Sequence, residues 1–235
     1  MSDLPACVDF PYLHGFSPTE QARLVRQARL AESTIFRNID YPGAKRLLEV
    51  GSGVGAQTEI LLRRFPDLHV TGVDLSTAQV DAARARLAQQ PWLDGRYDFR
   101  QADATDLPFE PRSFDAAYLC WVLEHVPKPA RVLSEVRRVL APGAPVYVTE
   151  VMNASFVLDP YSPNVWRYWM AFNDFQYDSG GDPFIGAKLG NLLLAGGRGG
   201  GKSTAALLLI LRHVEKYGDK ARPLIVRETH KAVQE

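Results

Sequence analysis

Two glycine-rich loops are the segments most able to do chemistry in this 235-residue chain. The first, Gly-Ser-Gly-Val-Gly at 51–55, directly follows the apolar run 46–50. Glycines at a strand-to-helix turn let a ligand approach the backbone closely, so this loop indicates a nucleoside-cofactor site. The second loop reads GGRGGGKST at 196–204 and matches a triphosphate-binding pattern.

Carboxylates near the first loop help to distinguish its ligands. Glu49 lies two residues before the loop, Asp74 ends the next predicted strand, and Asp103 closes the one after that. The glycine spacing followed by Asp74 satisfies the dinucleotide fingerprint, in which a carboxylate binds the ribose hydroxyls. However, an anionic pyrophosphate gains nothing from Glu49, whereas a cationic sulfonium tolerates it. Since Asp103 can also accept from the amino group of adenine, a sulfonium-bearing nucleoside cofactor is favoured.

Strands that alternate with helices are predicted to position these residues. Apolar runs and helical periodicity predict strands at 46–50, 69–74, 97–101, 114–120 and 145–150, and helices at 18–29, 57–65, 77–89 and 129–140. This order implies a doubly wound α/β domain with a mostly parallel sheet. The aromatic-rich segment 159–178 is either a helix packed on the sheet edge or a cover over a substrate pocket.

Residues 10–195 resemble the class I S-adenosylmethionine-dependent methyltransferases of the small-molecule type. The motifs that carry the resemblance occur in order along the chain: LLEVGSGVG at 47–55, QADA at 101–104, CWVLEHV at 120–126 and LSEVRRVLAPG at 133–143. The family fold is a Rossmann-like sheet that binds the cofactor at the carboxyl ends of its central strands. The resemblance therefore implies S-adenosylmethionine as cofactor and a small-molecule methyl acceptor as partner.

The same resemblance implies a role for each matching residue. The first loop would wrap the methionine and ribose, Asp74 would bind the ribose hydroxyls, and Asp103 would meet the adenine edge. The complete implied set of cofactor-binding residues is Glu49, Gly51, Ser52, Gly53, Gly55, Asp74, Leu75, Asp103, Ala104, Cys120 and Trp121, with Tyr12 in a lid segment. Asp74 and Asp103 also have plain structural readings, as a helix cap and a turn residue.

Catalysis by such a domain requires few chemically active side chains. Methyl transfer from a sulfonium is an in-line displacement, so positioning and exclusion of water supply much of the acceleration. A general base is needed only where the acceptor arrives protonated, and the candidates are His125 and His14. A histidine after a strand can equally be structural. The acceptor atom (nitrogen, oxygen, carbon or sulfur) is left open, and no metal-ligand spacing is found.

The C-terminal segment 194–235 resembles the beginning of the ATPase domain of phage terminase large subunits. The resemblance rests on GGRGGGKST at 196–204 and LIVRET at 224–229. It implies an ATP/Mg²⁺ site in which the phosphate-binding residues are Gly196, Gly201, Lys202, Ser203 and Thr204. No apolar strand ending in Asp-Glu follows Lys202, so ATPase activity of this chain is not expected. A glycine-rich junction without a ligand is the alternative.

Two units are predicted from the two resemblances. A methyltransferase domain truncated at its C-terminus would span 1–190, and a β-P-loop-α-β fragment over 191–235 would replace its usual last strands. The overlap at 189–195 is ambiguous, because the methyltransferase context predicts a helix there and the phosphate-loop context a strand.

An open sheet edge would result from that replacement. The strand 145–150 would lie at the edge, where unpaired backbone groups favour aggregation unless they are covered. A helix is predicted at 202–216 and a strand at 223–227, and we expect the latter to pair with 145–150.

The composition is that of an ordinary globular protein with a net charge of +0. Neutrality gives no general reason to expect nucleic acid or an anionic membrane as a partner. The two cysteines, the lack of a signal-peptide pattern and the shortness of the apolar runs predict a cytoplasmic protein. Methyl transfer is the leading function. The alternatives are an ATP-binding fragment of a packaging motor and a fusion that binds S-adenosylmethionine without turnover.

Overall fold

Parallel strands form the centre of the fold. The computed structural model describes residues 15, 17–196 and 205–207. The strands are β1 (Arg46–Val50), β2 (His69–Asp74), β3 (Tyr97–Gln101), β4 (Ala116–Cys120) and β5 (Val146–Thr149), joined at one edge by β6 (Ala205–Leu207). Their order in the sheet is β3-β2-β1-β4-β5-β6, and every pairing is parallel. The predicted bounds of the first three strands are confirmed.

Helices cover both faces of this sheet. They are α1 (Pro18–Ile35), α2 (Ala56–Arg64), α3 (Thr77–Leu87), α4 (Pro129–Val139), α5 (Pro163–Asp178) and α6 (Leu189–Gly196). One hydrophobic cluster joins the first three helices to the sheet, and a second joins α4 and α6 to its other face. Since both faces are covered, β4 is a continuous apolar run rather than an alternating one. The doubly wound, Rossmann-like α/β class is thus confirmed.

The order of the strands creates a crevice at one point. The chain moves outward from β1 to β3 in one direction and from β4 to β5 in the other. The loops that follow β1 and β4 therefore leave the sheet toward opposite faces. Ligands of open α/β sheets bind at such a reversal, beyond the carboxyl ends of the strands.

The C-terminal segment differs from its prediction. Residues 205–207 were expected inside a helix, but they form a strand that pairs with β5, Val146 opposite Ala205. A short apolar run is ambiguous between the two structures, and the unpaired edge of β5 supplies hydrogen-bond partners that decide for a strand. This strand occupies the place predicted for 223–227, which lies outside the described residues.

The ambiguous segment before it is helical. The helix α6 begins at Leu189, which is fully buried against the core. The strand alternative for 189–195 is therefore wrong, and the predicted division between 190 and 191 falls inside this helix; two-unit organisation stays a prediction. None of the described helices is long and apolar enough to cross a membrane.

Candidate cofactor and acceptor cavity

A cavity of about 910 Å³ opens at the reversal of strand order. The loops after the first four strands form its floor, and side chains of α1 and α5 contribute to its walls. Its volume is near the upper end of the range for ligand pockets. The predicted site residues that line it are Gly51, Ser52, Gly53, Asp74, Leu75, Asp103, Ala104, Cys120, Trp121 and His125.

The glycine loop after β1 has a backbone that other residues adopt with difficulty. Gly51, Gly53 and Gly55 have φ of 70°, 51° and 69°. A Cβ on Gly51 would stand 2.2 Å from a methyl carbon of Val122, whereas one on Gly53 would meet nothing within 4 Å. The first glycine thus allows close packing within the protein, and Gly53 leaves the backbone open to a ligand.

Asp74 ties the glycine loop to the end of β2. Its Oδ2 accepts a hydrogen bond from the N–H of Gly53 at 2.8 Å, and its Oδ1 accepts one from the N–H of Ser76 at 3.0 Å. Burial raises the pKa of Asp74, and the two backbone hydrogen bonds oppose that rise. The carboxylate thus has a structural role as well as a place on the cavity wall.

Two further wall residues follow β2 and β3. Leu75 remains 43% exposed and presents an apolar surface to the cavity. Asp103 is also exposed, and its Oδ1 accepts from both the N–H and the hydroxyl of Thr105 at 2.8 Å. Asp103 is therefore a turn residue, which was its alternative structural role, and it also lines the cavity.

Glu49 does not line the cavity. Its side chain is buried, and its Oε2 accepts from the hydroxyl of Thr58 at 2.5 Å. Burial, with a smaller contribution from Asp74, raises the pKa of Glu49 to about 8. At neutral pH the carboxyl is largely protonated, so Glu49 discriminates less between a sulfonium and an anionic pyrophosphate than the sequence suggested. Gly55 is likewise absent from the wall, because it packs against Leu87 and other core residues.

Cys120 and Trp121 lie where β4 ends. The amide of Gln57 donates to Sγ of Cys120 at 3.6 Å, and burial raises the pKa of the Cys120 thiol, which stays protonated. Trp121 has a φ of 56°, in the left-handed region that non-glycine residues rarely adopt. Such strain costs about 1–3 kcal/mol and persists only where the surroundings enforce it, commonly at functional sites.

His125 lies on the cavity wall in a short helical turn, Leu123–His125. Its Nε2 is 3.6 Å from Oε1 of Glu124. Burial lowers the pKa of His125 to about 4, so the imidazole is uncharged at neutral pH. The neutral imidazole can accept a proton, but a pKa of about 4 makes it a weak base. It can act as a general base only for a methyl acceptor whose proton becomes acidic during the reaction.

Several wall residues were missed from the sequence. Trp169, Phe172 and Gln176 of α5 and Arg23 and Gln27 of α1 line the cavity. The aromatic-rich segment did indicate the first group, since one of its two readings was a pocket cover. Nothing in the spacing of the α1 residues distinguishes them from an ordinary exposed helix face.

The aromatic side chains of α5 do not all follow one of the two predictions, packing on the sheet edge or covering a pocket. Trp169 and Phe172 line the cavity, with ring centroids 5.8 Å apart in a stacked arrangement. Tyr168, Phe175 and Tyr177 are instead 69%, 60% and 63% exposed. The prediction that the aromatic side chains pack against the sheet edge is therefore wrong for those three.

The remaining predicted site residues are not brought to this cavity by the described structure. Gly196 is the last residue of α6. Tyr12, His14 and the phosphate-binding residues 201–204 lie outside the described residues. Their roles stay predictions. In the described part of the chain, no group of three or more potential metal ligands is found.

Comparison with known proteins identifies the part of the chain that surrounds the cavity. Residues 48–148 match the family described as a methyltransferase domain. The match covers less than half of the chain, and it shows that this part is similar to a methyltransferase domain. The exposed Asp103, the open Gly53 and the apolar Leu75 fit a nucleoside cofactor such as S-adenosylmethionine at this cavity.

Curated relatives of the methyltransferase domain act on different molecules. Sterol methyltransferase-like 1 of Botryococcus braunii is 33% identical over 160 residues, which cover 68% of this chain and 38% of the relative. The ubiquinone/menaquinone biosynthesis C-methyltransferase UbiE of Desulfotalea psychrophila is 32% identical over 128 residues, covering 54% of this chain and 50% of the relative. The chain thus spans half or less of the length of these relatives.

A solved structure shares the fold of the methyltransferase domain. Phosphoethanolamine N-methyltransferase 2 of Haemonchus contortus matches with a TM-score of 0.63 at 19% identity, covering 81% of this chain and 45% of that protein. At this identity the likeness concerns the fold alone. It extends the shared architecture beyond 48–148 to most of the described chain.

Proposed function

We propose that the chain transfers a methyl group from S-adenosylmethionine to a small-molecule acceptor held in the 910 Å³ cavity. The observation that carries the proposal is the convergence of three strand ends on one cavity. The glycine loop after β1, Asp74 after β2 and Asp103 after β3 all line it. Glycine turns and strand-end carboxylates at a strand-order reversal are what a nucleoside cofactor requires.

The wall residues divide the work of binding. Asp74 would bind the ribose hydroxyls, while Leu75 and Ala104 would contact the adenine beside Asp103. Ser52, Cys120 and Trp121 would surround the methionine portion, and Glu49 and Gly55 would support the loop from behind. The bound cofactor supplies an electrophilic methyl group on a positively charged sulfur. The protein then needs only to align the acceptor and exclude water.

We infer that the acceptor is largely apolar and carries no negative charge. Stacked rings of Trp169 and Phe172 form one wall, and carboxyl groups of Asp74, Asp103 and Glu124 line others. Arg23 lines the cavity, but its guanidinium is paired with Glu20. A wall of this kind disfavours an anionic acceptor, such as a phosphate ester. The sterol and quinone relatives are consistent with this choice.

His125 is the candidate base within the described cavity. Because its imidazole is uncharged at neutral pH, it can accept the proton of a hydroxyl or amine acceptor as the new bond to carbon forms. An acceptor that is already deprotonated, such as a phenolate or a carbanion, needs no such step. His14, the second candidate from the sequence, lies outside the described residues.

Calorimetric titration of the purified chain tests the proposal. We expect heat of binding with S-adenosylmethionine and its loss on Asp74→Ala, because the substitution removes the hydrogen bond to Gly53 of the glycine loop and the proposed contact with the ribose. Titration with Mg·ATP, with Lys202→Ala as control, tests the alternative phosphate-loop function. Binding of ATP alone would replace the methyltransferase proposal. Binding of S-adenosylmethionine without methylation of phenol, quinone and sterol acceptors would favour a non-catalytic fusion.

A further inference from the structure

Glu150 is a buried carboxyl that none of the roles above uses. It directly follows β5, and its side chain is only 1% exposed. Its Oε1 accepts from the N–H of Val122 at 2.9 Å and from the N–H of Leu123 at 2.7 Å. The N–H of Glu124 also interacts with this carboxyl and lowers its pKa. Successive backbone N–H groups of one loop thus converge on a single side chain from the neighbouring strand.

The loop that Glu150 binds forms part of the cavity wall. Trp121, Val122 and Glu124 line the cavity, and Trp121 has the strained left-handed backbone. The Val122 side chain fills the space where a Cβ on Gly51 would lie. A displacement of this loop would therefore change the packing against the cofactor loop directly. Strained backbone of this kind needs enforcement by neighbouring groups.

The same loop is bound on its other side by α5. Nε2 of Gln176 donates to Oε2 of Glu124 at 2.8 Å, and the N–H of Asp182 donates to the Glu124 carbonyl at 2.8 Å. The loop is thus bound between β5 and the end of the helix that supplies the aromatic wall. Glu150 provides the contact on the sheet side.

We propose that Glu150 is a positioning residue for cofactor binding. Its carboxyl accepts hydrogen bonds from the N–H groups of Val122 and Leu123, and these bonds hold the loop 121–124 against Gly51. The proposal rests on the methyltransferase function only through the identity of the ligand. This role requires a side chain long enough to place an acceptor oxygen beside the two N–H groups, and it does not require a negative charge. Burial and the neighbouring Glu124 raise the pKa of Glu150 to about 8, which agrees with a largely uncharged group.

Two substitutions separate the effect of side-chain length from the effect of an ionisable group at position 150. Glu150→Gln keeps the side-chain length and one acceptor oxygen, so we expect the dissociation constant for S-adenosylmethionine to stay within about twofold. Glu150→Asp keeps an ionisable carboxyl but shortens it by one methylene. We expect it to weaken binding about tenfold, because buried N–H groups lose their acceptor. Thr149→Val, at the preceding buried side chain, is the matched control and is expected to bind normally.

Amide hydrogen exchange supplies a readout that needs no ligand. We expect protection of the Val122 and Leu123 N–H groups to fall in the Asp variant and to persist in the Gln and Val variants. Unchanged protection and affinity in Glu150→Asp would overturn the proposal, as would equal losses in the Asp and Gln variants. If the wild-type chain binds no S-adenosylmethionine, the proposed function fails, and the exchange data separately show whether Glu150 holds the loop.

Discussion

Single glycines decide whether the cofactor loop can form. Gly51 and Gly53 have similar positive φ values, of 70° and 51°, but different surroundings. Val122 occupies the space beside Gly51, while nothing lies within 4 Å of a Cβ on Gly53. The two positions therefore separate the cost of backbone strain from the cost of a steric clash.

Gly51→Ala is expected to be much more damaging than Gly53→Ala. Both variants bear about 1–2 kcal/mol of left-handed strain, but only the first forces Val122 to move. We expect thermal unfolding to show the larger loss of stability for Gly51→Ala, and calorimetry to show no S-adenosylmethionine binding by it. Gly53→Ala should retain the fold, with weaker binding because the methyl group faces the ligand. Equal stability of the two variants would contradict this account.

Protons held by buried carboxyls should make stability depend on pH. Burial raises the pKa of both Glu49 and Glu150 to about 8, well above the value of an unfolded glutamate. The folded protein thus holds protons that the unfolded chain releases, and this stability is lost as pH rises through 8. The lowered pKa of His125 has the opposite effect, but the slope it contributes has halved at about pH 6.5 and that effect is nearly complete by about pH 7.5.

We therefore expect the free energy of unfolding to fall between about pH 6.5 and pH 8, with a slope near 1.4 kcal/mol per pH unit for each carboxyl. Glu49→Gln cannot titrate and still accepts the Thr58 hydroxyl, so it should remove about half of this slope. Denaturant unfolding at a series of pH values measures it. A slope identical to that of the wild type would show that Glu49 is ionised when folded.

At the scale of the elements, α5 has two faces with different surroundings. Phe172 lines the cavity on one face, while Phe175, one turn later, is 60% exposed on another. This separation could not be predicted from the sequence, because aromatic residues occur all around the helix. The burial of Asn173 and Gln176 inverts the usual pattern, since amides, rather than rings, are the most buried side chains of α5.

Phe172→Ala should impair acceptor use without affecting cofactor binding. Loss of a wall ring removes apolar contact, and we expect kcat/KM to fall at least about tenfold with an acceptor found by screening. The S-adenosylmethionine dissociation constant should change less than about twofold, because the cofactor loops lie on other elements. Phe175→Ala is the matched control and should behave as wild type. Similar losses in both variants would argue against α5 as an acceptor wall.

At the scale of the whole molecule, the N-terminal strands of the sheet were predicted from the sequence more accurately than the C-terminal one. Strands β1 to β3 were predictable because a glycine turn or a carboxylate marks the carboxyl end of each, although only β1 and β2 are largely buried. The carboxylates Asp74 and Asp103 were found for the same reason. Arg23 and Glu150 were not, because their roles depend on contacts between distant segments that no local pattern encodes. The strand β6 was missed because the short apolar run 205–211 that contains it fits either structure.

Removal of the residues after α6 should expose the edge of β5. Ala205–Leu207 pairs with β5 along Val146, Tyr147 and Val148. A chain that ends at Gly196 would leave this apolar strand with an unpaired edge, so we expect self-association. Light scattering at increasing concentration measures it, with the full chain as control. Monodisperse behaviour of the shortened chain would mean that β5 is covered by other residues.

The protonated state of Glu49 has a consequence for product release. Methyl transfer converts a positively charged sulfur into an uncharged thioether, and a charged carboxylate close to the loop would favour the donor over this product. Since the raised pKa leaves Glu49 largely uncharged, that preference is small at neutral pH. S-adenosylhomocysteine should then bind about as tightly as the donor and inhibit turnover as it accumulates. Competition calorimetry measures the ratio of the two affinities, and a strong preference for the donor would contradict this expectation.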